Sequence, residues 1–280
     1  MPRRKTSWIA RILLTAAGLS TALTGLIGCT LAPQPAPPPS PSKPASATPS
    51  TEPEQLPDVD IGPVTTEEAF SSTTVSQWVK QADFVAVVQI TSEAQIPPAQ
   101  SEIKRREGLI MRTLTATVEQ LVWRHPTLHK TPPTTFSFIT FGWAFKDGLS
   151  SQRRTGAQDQ PYLLPGHTYL MAIRWFEWGC PGRIDPQDKP SPPTWAPLGS
   201  GAVTPYEQQL GRGEFEGRWT EDAAENDPPN SFRRQMQTRS IAWVQERLTQ
   251  VATQNPHLRH SPGLECSRKN GGMVFMPRVR

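Results

Sequence analysis

The sequence lacks the short motifs that most often mark a catalytic chain, and it has few metal-binding residues. A Gly-x-Ser-x-Gly elbow, a His-Glu-x-x-His pair and a glycine-rich phosphate loop are all absent. Three cysteines and five histidines are spread over 280 residues. These absences remove the usual signatures of serine hydrolases, zinc peptidases and P-loop NTPases. The sequence predicts no catalytic residue, no metal site and no cofactor.

The histidines form no complete ligand set. His125 and His129 have the spacing of two metal ligands on one helix face, but Pro126 between them argues against a helix. No cysteine or carboxylate cluster nearby completes a site. His257 and His260 lie in an irregular basic stretch. We expect surface positions for all five histidines, including His167.

Two acids close in sequence are the remaining catalytic candidates. Glu214 and Glu216 alternate along a predicted strand, which would place both carboxylates on one face. The default interpretation is that Glu214 and Glu216 occupy exposed positions on the strand and have no catalytic role. Paired carboxylates for glycosidic chemistry are the alternative, and a pocket joining either glutamate to a histidine would favour it.

Acidic residues are also missing from the first 28 positions, which hold four bases ahead of the apolar run Ile12–Ile27. That run is shorter than the roughly 20 residues that a permanent transmembrane helix needs. A basic segment followed by a short apolar one is the plan of a secretory signal peptide, residues 1–28. The polar residues after Arg3-Arg4 favour the general secretory route over the twin-arginine route.

Leu26-Ile27-Gly28-Cys29 ends the apolar run and resembles the lipobox of bacterial lipoproteins. The resemblance implies that the Cys29 thiol carries diacylglycerol and that the signal is cut before Cys29. Two or more acyl chains make membrane anchoring stable. An uncleaved signal anchor is the alternative, and both interpretations place the protein at the extracytoplasmic face of the cell membrane.

Removal of the signal changes what the charge and cysteine content imply. The formal net charge of +4 falls to zero, because residues 1–28 hold four of the 29 bases and none of the 25 acids. Neutrality removes the electrostatic argument for nucleic-acid binding. Cys180 and Cys266 remain, and we predict a disulfide between them outside the cell. Two unpaired thiols are the alternative.

The mature chain divides into a tether, residues 29–60, and one domain, residues 61–280. The tether is rich in proline, alanine, serine and threonine, which favours extended polyproline II. It could hold a domain up to roughly 90 Å from the membrane; docking of its prolines by an SH3-like partner is the alternative. The C-terminal 50 residues are basic, and they either contact anionic headgroups, pair with the acidic body or are solvated.

The domain alternates apolar and polar residues in the manner of an antiparallel sheet that closes as a barrel or folds over as a sandwich. A short helix is expected at Thr74–Ala82 and a long one at Phe232–Thr253. Lys146–Gln160 and Pro181–Pro193 are expected to be mobile insertions. The long strand is expected to carry Leu114 and Val122 on one face. The predicted strands are Asp83–Ile90, Ile110–Trp123, Thr134–Trp143, Thr168–Trp178, Thr194–Leu198, Gly201–Thr204, Gly213–Arg218 and, at the edge, Met273–Met276.

Four segments, Asp83–Val88, Val118–Val122, Pro165–Met171 and Gly211–Phe215, resemble a set of uncharacterised secreted actinobacterial proteins. That domain is similar to small OB-like barrels, so the resemblance implies an OB-like β-barrel over about residues 75–220. It implies no activity. The chain departs from the pattern at Gln89 and after the long strand.

Tryptophan is abundant, with eight of nine in the predicted domain. Trp175 and Trp178 are three apart on a strand, so they face opposite sides. Core packing is one interpretation, and an aromatic platform for cell-wall glycan is the other. We expect a non-catalytic binding or interaction module for an envelope protein or glycan. An envelope hydrolase is the alternative, and a transport-type binding lipoprotein is disfavoured because strands and helices do not alternate.

The lipobox predicts that the mature protein begins at Cys29 and that this residue carries the lipid. Mass spectrometry of the N-terminal peptide from membranes checks both points. An N-terminus at Met1, or an unmodified Cys29, contradicts the prediction.

Overall fold

A computed structural model describes residues 60–64, 70–176 and 193–258, together with the backbone of two strands at 264–269 and 272–277. All of them belong to the compact unit Glu52–Arg280. Six features of the sequence lie outside the described residues: the predicted signal peptide, Cys29, residues 30–59 of the tether, Trp178, residues 181–192 of the predicted insertion, and the pairing of Cys180 with Cys266.

The described part is mainly β. Its helices are α1 (Val75–Gln81), α2 (Gln100–Arg105), α3 (Phe232–Met236) and α4 (Ile241–Gln254). Its strands are β1 (Gly62–Val64), β2 (Phe84–Gln95), β3 (Glu107–Arg124), β4 (Thr135–Lys146), β5 (Arg153–Ala157), β6 (Thr168–Phe176), β7 (Thr194–Pro197), β8 (Val203–Glu207), β9 (Gln209–Leu210), β10 (Gly213–Phe215), β11 (Arg218–Thr220), β12 (Leu264–Lys269) and β13 (Gly272–Pro277).

Nine of these strands form one sheet in the order β1-β5-β4-β3-β2-β6-β8-β9, with β7 also paired to β6. The β1–β5 pair is parallel and the other pairs are antiparallel. Strands β10–β11 and β12–β13 form two separate hairpins. The mainly β prediction is confirmed. The sheet is mixed, however, the described strands close no barrel, and the OB-like arrangement is not confirmed.

The sheet nevertheless curls, so that β7 approaches β4 from across β3, β2 and β6. The Thr194 hydroxyl at the start of β7 donates to the Ser137 carbonyl of β4 at 2.5 Å. Trp195 of β7 packs edge-on against Phe84 of β2, with ring centroids 5.1 Å apart. A side-chain hydrogen bond, and not a strand ladder, joins the two sides of the curl.

Strand β2 lies between two cores, which explains its nearly unbroken apolar sequence. Phe84, Ala86 and Val88 face the inside of the curl, where they pack with residues of β3, β4, β6 and β7. Val85 and Val87 face the other way, against a layer formed by α1, α3 and α4. One strand thus contributes to both hydrophobic clusters.

Near the C-terminal end of the long strand β3, the side chains exchange the faces of the sheet on which they lie. The β2–β3 register passes over Glu119 and Val122, which have no partner on β2. Each extra residue shifts the alternation by one. Leu114 therefore packs inside the curl, whereas Val122 packs on the helical side. The expectation that both would share one face is wrong because the sequence pattern does not reveal these bulges.

The predicted C-terminal helix is two helices. Helix α3 ends at Met236, Thr238 adopts a left-handed φ of 62°, and the Ser240 hydroxyl accepts from the Trp243 amide to begin α4. A side-chain cap of this kind starts a new helix. The apolar stripe predicted for this region is confirmed, because all four of its members are buried: Ile241, Val244, Leu248 and Val251.

Several other expectations change in detail. The segment Lys146–Gln160, expected to be a mobile insertion, contains a 3₁₀ turn at Leu149–Ser151 and strand β5. Helix α1 begins after Thr74, whose hydroxyl accepts from the Gln77 amide, within the segment predicted as helical. The predicted strand Gly213–Arg218 is instead the tight hairpin of β10 and β11.

Candidate functional site

A cleft of about 180 Å³ lies where β4 and β7 diverge, and we name it the β4–β7 cleft. One wall is Phe138–Phe141 of β4, and the opposite wall is Ala196–Ser200 with Val203. Ala157, Gln160 and Leu163 complete the lining. No lining residue carries a formal charge, so the cleft suits an apolar or uncharged ligand group.

The β4 wall presents unpaired backbone groups. The Val118 amide donates to the Thr134 carbonyl, which fixes the phase of the β3–β4 ladder. Antiparallel pairing then directs the backbone groups of Ser137 and Ile139 away from β3. Among the described strands, β4 pairs on that side only at Trp143 and Ala144. The Ser137 carbonyl already accepts from the Thr194 hydroxyl, so the edge beside the cleft offers the Ser137 amide and both backbone groups of Ile139.

Ile139 is the apolar side chain most open to solvent at this edge, with 45% of its surface exposed. Across the cleft, Pro197 has no amide proton, so β7 presents few donors of its own. Edge strands with free backbone groups are templates for pairing with another chain. The cleft thus combines an apolar floor with one strand edge that has backbone hydrogen-bonding capacity to spare.

The floor of the cleft is held by an unusual arrangement around the Tyr162–Leu163 dipeptide. Both of its amides donate to the carboxylate of Glu214, at 2.9 and 3.0 Å. Both of its carbonyls accept from the guanidinium of Arg112, which is 3.2 Å from the Leu163 oxygen. We name this arrangement the dipeptide clamp. Two buried ions satisfy all four backbone polar groups of two consecutive residues.

Glu214 is 3% exposed and fully engaged. Besides the two clamp amides, it accepts from the Gly217 amide at 2.7 Å and from the Tyr169 hydroxyl at 2.6 Å. Four donors fill the acceptor positions of an ionised carboxylate. Burial, and then the negative charge of Glu214 beside it, raise the pKa of the Tyr169 phenol well above its ordinary value. The Tyr169 phenol thus keeps its proton and donates it in a hydrogen bond to the Glu214 carboxylate.

Arg112 extends the clamp to three strands. It is 1% exposed, donates from Nε to the Phe141 carbonyl of β4 at 2.7 Å, and pairs with Glu93 of β2 at 2.6 Å. Its guanidinium carbon also lies 3.7 Å from the centre of the Tyr162 ring. A buried arginine needs this number of partners, because an unpaired buried charge costs several kcal/mol.

The clamp also supports a locally strained backbone. Leu163 has a φ of 67°, a conformation that costs a branched residue about 1–2 kcal/mol. Leu163 nevertheless packs inside the curl and lines the cleft. The four hydrogen bonds to Glu214 and Arg112 offset this cost, so the position of the cleft floor depends on the clamp.

The structure separates the two predicted glutamates. Strand β10 ends at Phe215, and Glu216 and Gly217 both have positive φ, of 52° and 80°. These values form the tight turn that joins two antiparallel strands. Glu214 is buried, whereas Glu216 is exposed and accepts from the Asp159 amide at 2.9 Å. The expectation that both lie exposed on one strand face is wrong.

The histidines do not converge. His125 is buried in the turn after β3, with Thr127 on its ring nitrogen at 2.9 Å, while His129 and His257 are exposed. His260 lies outside the described residues. The surface expectation therefore fails for His125 and for His167. His167, also buried, pairs with Glu207 at 3.1 Å and contacts neither Glu214 nor Glu216 through a hydrogen bond. Within the described residues no group of three potential metal ligands occurs.

The described tryptophans do not form an exposed platform. Trp175 is half-buried, with Lys130 over its ring at 4.4 Å, and it packs edge-on against Trp195 at 5.1 Å. All seven described tryptophans are buried or half-buried: Trp78, Trp123, Trp143, Trp175, Trp195, Trp219 and Trp243. Core packing therefore accounts for them.

Sequence reasoning missed the clamp because its members are far apart in the chain. One signal was present: Arg112 stands between Ile110 and Leu114 at a position where the alternation of β3 predicts an apolar, inward residue. A charged residue at such a position indicates a buried ion with dedicated partners. The other members of the clamp, Tyr162 and Glu214, carry no comparable signal.

No family model, no curated protein and no solved structure matches this chain. In the described part of the chain, no helix is both long and apolar enough to cross a bilayer.

We predict that Glu214→Gln lowers the free energy of unfolding by about 2–4 kcal/mol, because a carboxamide nitrogen would face a clamp amide that needs an acceptor. Urea unfolding followed by tryptophan fluorescence measures the change. Glu216→Gln is the matched control, with an expected change below about 0.5 kcal/mol. Equal losses for the two variants would contradict the role of the clamp.

We also predict an alkaline loss of stability that depends on Tyr169. Its raised pKa means that the folded state keeps a proton that the unfolded chain releases near pH 10. This contribution is fully present below about pH 10 and falls above it, by up to about 1.4 kcal/mol per pH unit. Tyr169→Phe should flatten the curve of unfolding free energy between about pH 10 and 11.5, and parallel curves would refute the assignment.

Proposed function

We propose that this protein is a lipid-anchored envelope lipoprotein whose β-rich domain binds an extended segment of a partner protein in the β4–β7 cleft. The observation that carries the proposal is the β4 edge from Thr135 to Phe141, which has no strand partner among the described residues and borders an uncharged cleft. In this proposal the curled sheet is an OB-like barrel that is open at the cleft.

Strand addition is the mode of recognition that fits this edge. An extended peptide beside β4 would bond to the Ser137 amide and to the amide and carbonyl of Ile139, and these hydrogen bonds would be independent of the peptide sequence. Alternate side chains of the peptide would enter the cleft toward Leu163 and Val203. Since the lining carries no formal charge, apolar or small uncharged side chains are favoured there.

A polypeptide partner is better supported than a cell-wall glycan. Glycan platforms need exposed aromatic faces, and the described tryptophans are buried or half-buried. Among the described residues, the exposed large apolar side chains are all aliphatic: Leu121, Ile139 and Leu149. Ile139 is the one that lies at the cleft.

An envelope hydrolase, the alternative, has less support. Its leading acid, Glu214, already accepts four hydrogen bonds from the protein itself. Such a carboxylate has no lone pair left for a substrate or a water. Glu216 is exposed and accepts from the Asp159 amide at 2.9 Å, and none of the described histidines bonds to it.

The envelope location rests on the sequence. The signal peptide, the lipobox ending at Cys29 and the proline-rich tether together predict an anchored domain that extends from the membrane. A module held there meets other envelope proteins, which fits a binding role.

We test the proposal with Ile139→Lys, which places a charge where the partner strand would pack. The immobilised mature chain, with Cys29→Ser to omit the lipid, is incubated with envelope proteins, and bound proteins are quantified by mass spectrometry. We expect the wild-type chain to retain a specific protein and Ile139→Lys to retain at least about tenfold less, because a buried unpaired charge costs more than 1.4 kcal/mol.

Leu121→Lys is the matched control, since Leu121 is an aliphatic strand residue with 46% of its surface exposed, against 45% for Ile139. It should retain the partner like the wild type. Equal retention by Ile139→Lys and the wild type would exclude the cleft. Binding of purified glycan by the wild type, with no protein retained, would favour the glycan interpretation.

A further inference from the structure

The far end of the β2–β3–β4 arm gathers five exposed bases, which we name the basic tip: Lys104, Arg105, Arg106, Lys146 and Arg153. The structure holds them together. Glu107 pairs in register with Lys146, the Arg106 side chain donates to the Asp147 carbonyl at 2.7 Å, and the Gly148 amide donates to the Arg106 carbonyl at 2.9 Å. The end of α2 and the β4–β5 connection thus share one surface.

The tip keeps a net positive charge after its acids are counted. Glu107 and Asp147 are exposed among the five bases, and Asp60 lies 3.4 Å from Arg153. Glu102 accepts from the amides of Ala99 and Leu109 and also counts as an acid, so five bases stand against four acids and the formal charge of the tip is +1. The remaining excess of positive charge faces solvent.

An apolar side chain stands among these charges. Leu149 begins the 3₁₀ turn between β4 and β5, and 41% of its surface is exposed. It is one of only three large apolar side chains in the described residues that are exposed to this degree. Bases that surround a single exposed aliphatic side chain match a membrane interface, where headgroups meet acyl chains.

The chain enters the domain beside this tip. Strand β1 runs parallel to β5, with Gly62 opposite Thr155, and the Thr155 hydroxyl donates to the Gly62 carbonyl at 2.7 Å. Asp60, two residues before β1, forms the ion pair with Arg153. The surface nearest to the entering tether is therefore the basic tip, and not the helical layer at the other end of β3.

We propose that the basic tip contacts the anionic headgroups of the membrane to which the protein is anchored. Each base near an anionic bilayer strengthens binding about fivefold, and the attraction decays within a Debye length. The contact is independent of what the β4–β7 cleft binds. It would orient the domain with the arm toward the bilayer and the helices α1, α3 and α4 away from it.

The test uses the mature chain with Cys29→Ser, so that no lipid anchor holds it, and sedimentation with vesicles. We expect binding to vesicles of phosphatidylglycerol and phosphatidylcholine at low salt, at least tenfold stronger than to phosphatidylcholine alone, and a loss of this binding at about 0.5 M NaCl. Lys104→Glu with Arg105→Glu should weaken binding at least about tenfold. Leu149→Ser should weaken it less, about two- to fivefold.

Lys80→Glu with Arg239→Glu is the matched control, because it changes the net charge equally in the helical layer. It should bind within about twofold of the wild type. No binding to anionic vesicles, equal losses for the two charge reversals, or binding to double-stranded DNA without binding to vesicles would each overturn the proposal. Circular dichroism of each variant verifies that the fold is retained.

Discussion

The dipeptide clamp is the interaction on which the rest of the domain depends. A backbone in the interior must have every amide and carbonyl paired, and Tyr162–Leu163 meets this requirement with one carboxylate and one guanidinium. Each ion is in turn paired by the other strands, through Glu93 and Tyr169. Removal of either ion would leave its own partners and two backbone groups unpaired. The clamp therefore couples β2, β3, β4, β6 and β10 into one unit.

The clamp also explains why the curl stays open. The Phe141 carbonyl of β4 accepts from Arg112, and the Gly142 carbonyl accepts from the Tyr162 hydroxyl at 2.8 Å. Side chains thus donate to the carbonyls at this end of the β4 edge, and these carbonyls do not need a strand partner such as β7. On the other side, Pro197 cannot donate. In the described residues, the hydrogen bond from Thr194 to Ser137 joins these two strands without a ladder, and the cleft lies beside it.

The elements with strong local patterns were predictable from the sequence, and those that depend on distant partners were not. The apolar run of β2 and the stripe of α4 each follow from periodicity, because burial acts on every turn or every second residue. The bulges at Glu119 and Val122 depend on how β3 pairs with β2. The break before α4 depends on the Ser240 cap. Neither feature changes the periodicity of the sequence in a way that predicts it. Glu214 was placed on an exposed strand because nothing near it in sequence reveals four distant donors.

Two features of one strand give the proposed contacts a common geometry. Strand β4 has no strand partner on one side at Thr135–Phe141 among the described residues, and it ends at Lys146 in the basic tip. At about 3.3 Å per residue, Phe141 at the end of that edge lies roughly 17 Å along the strand from Lys146 in the tip. With the tip on headgroups, a peptide that pairs with β4 would run along the arm, either toward the bilayer or away from it. A segment just outside the membrane span of a partner could reach the cleft in this arrangement. The tether would then limit how far the domain drifts from the membrane, and the tip would set its orientation.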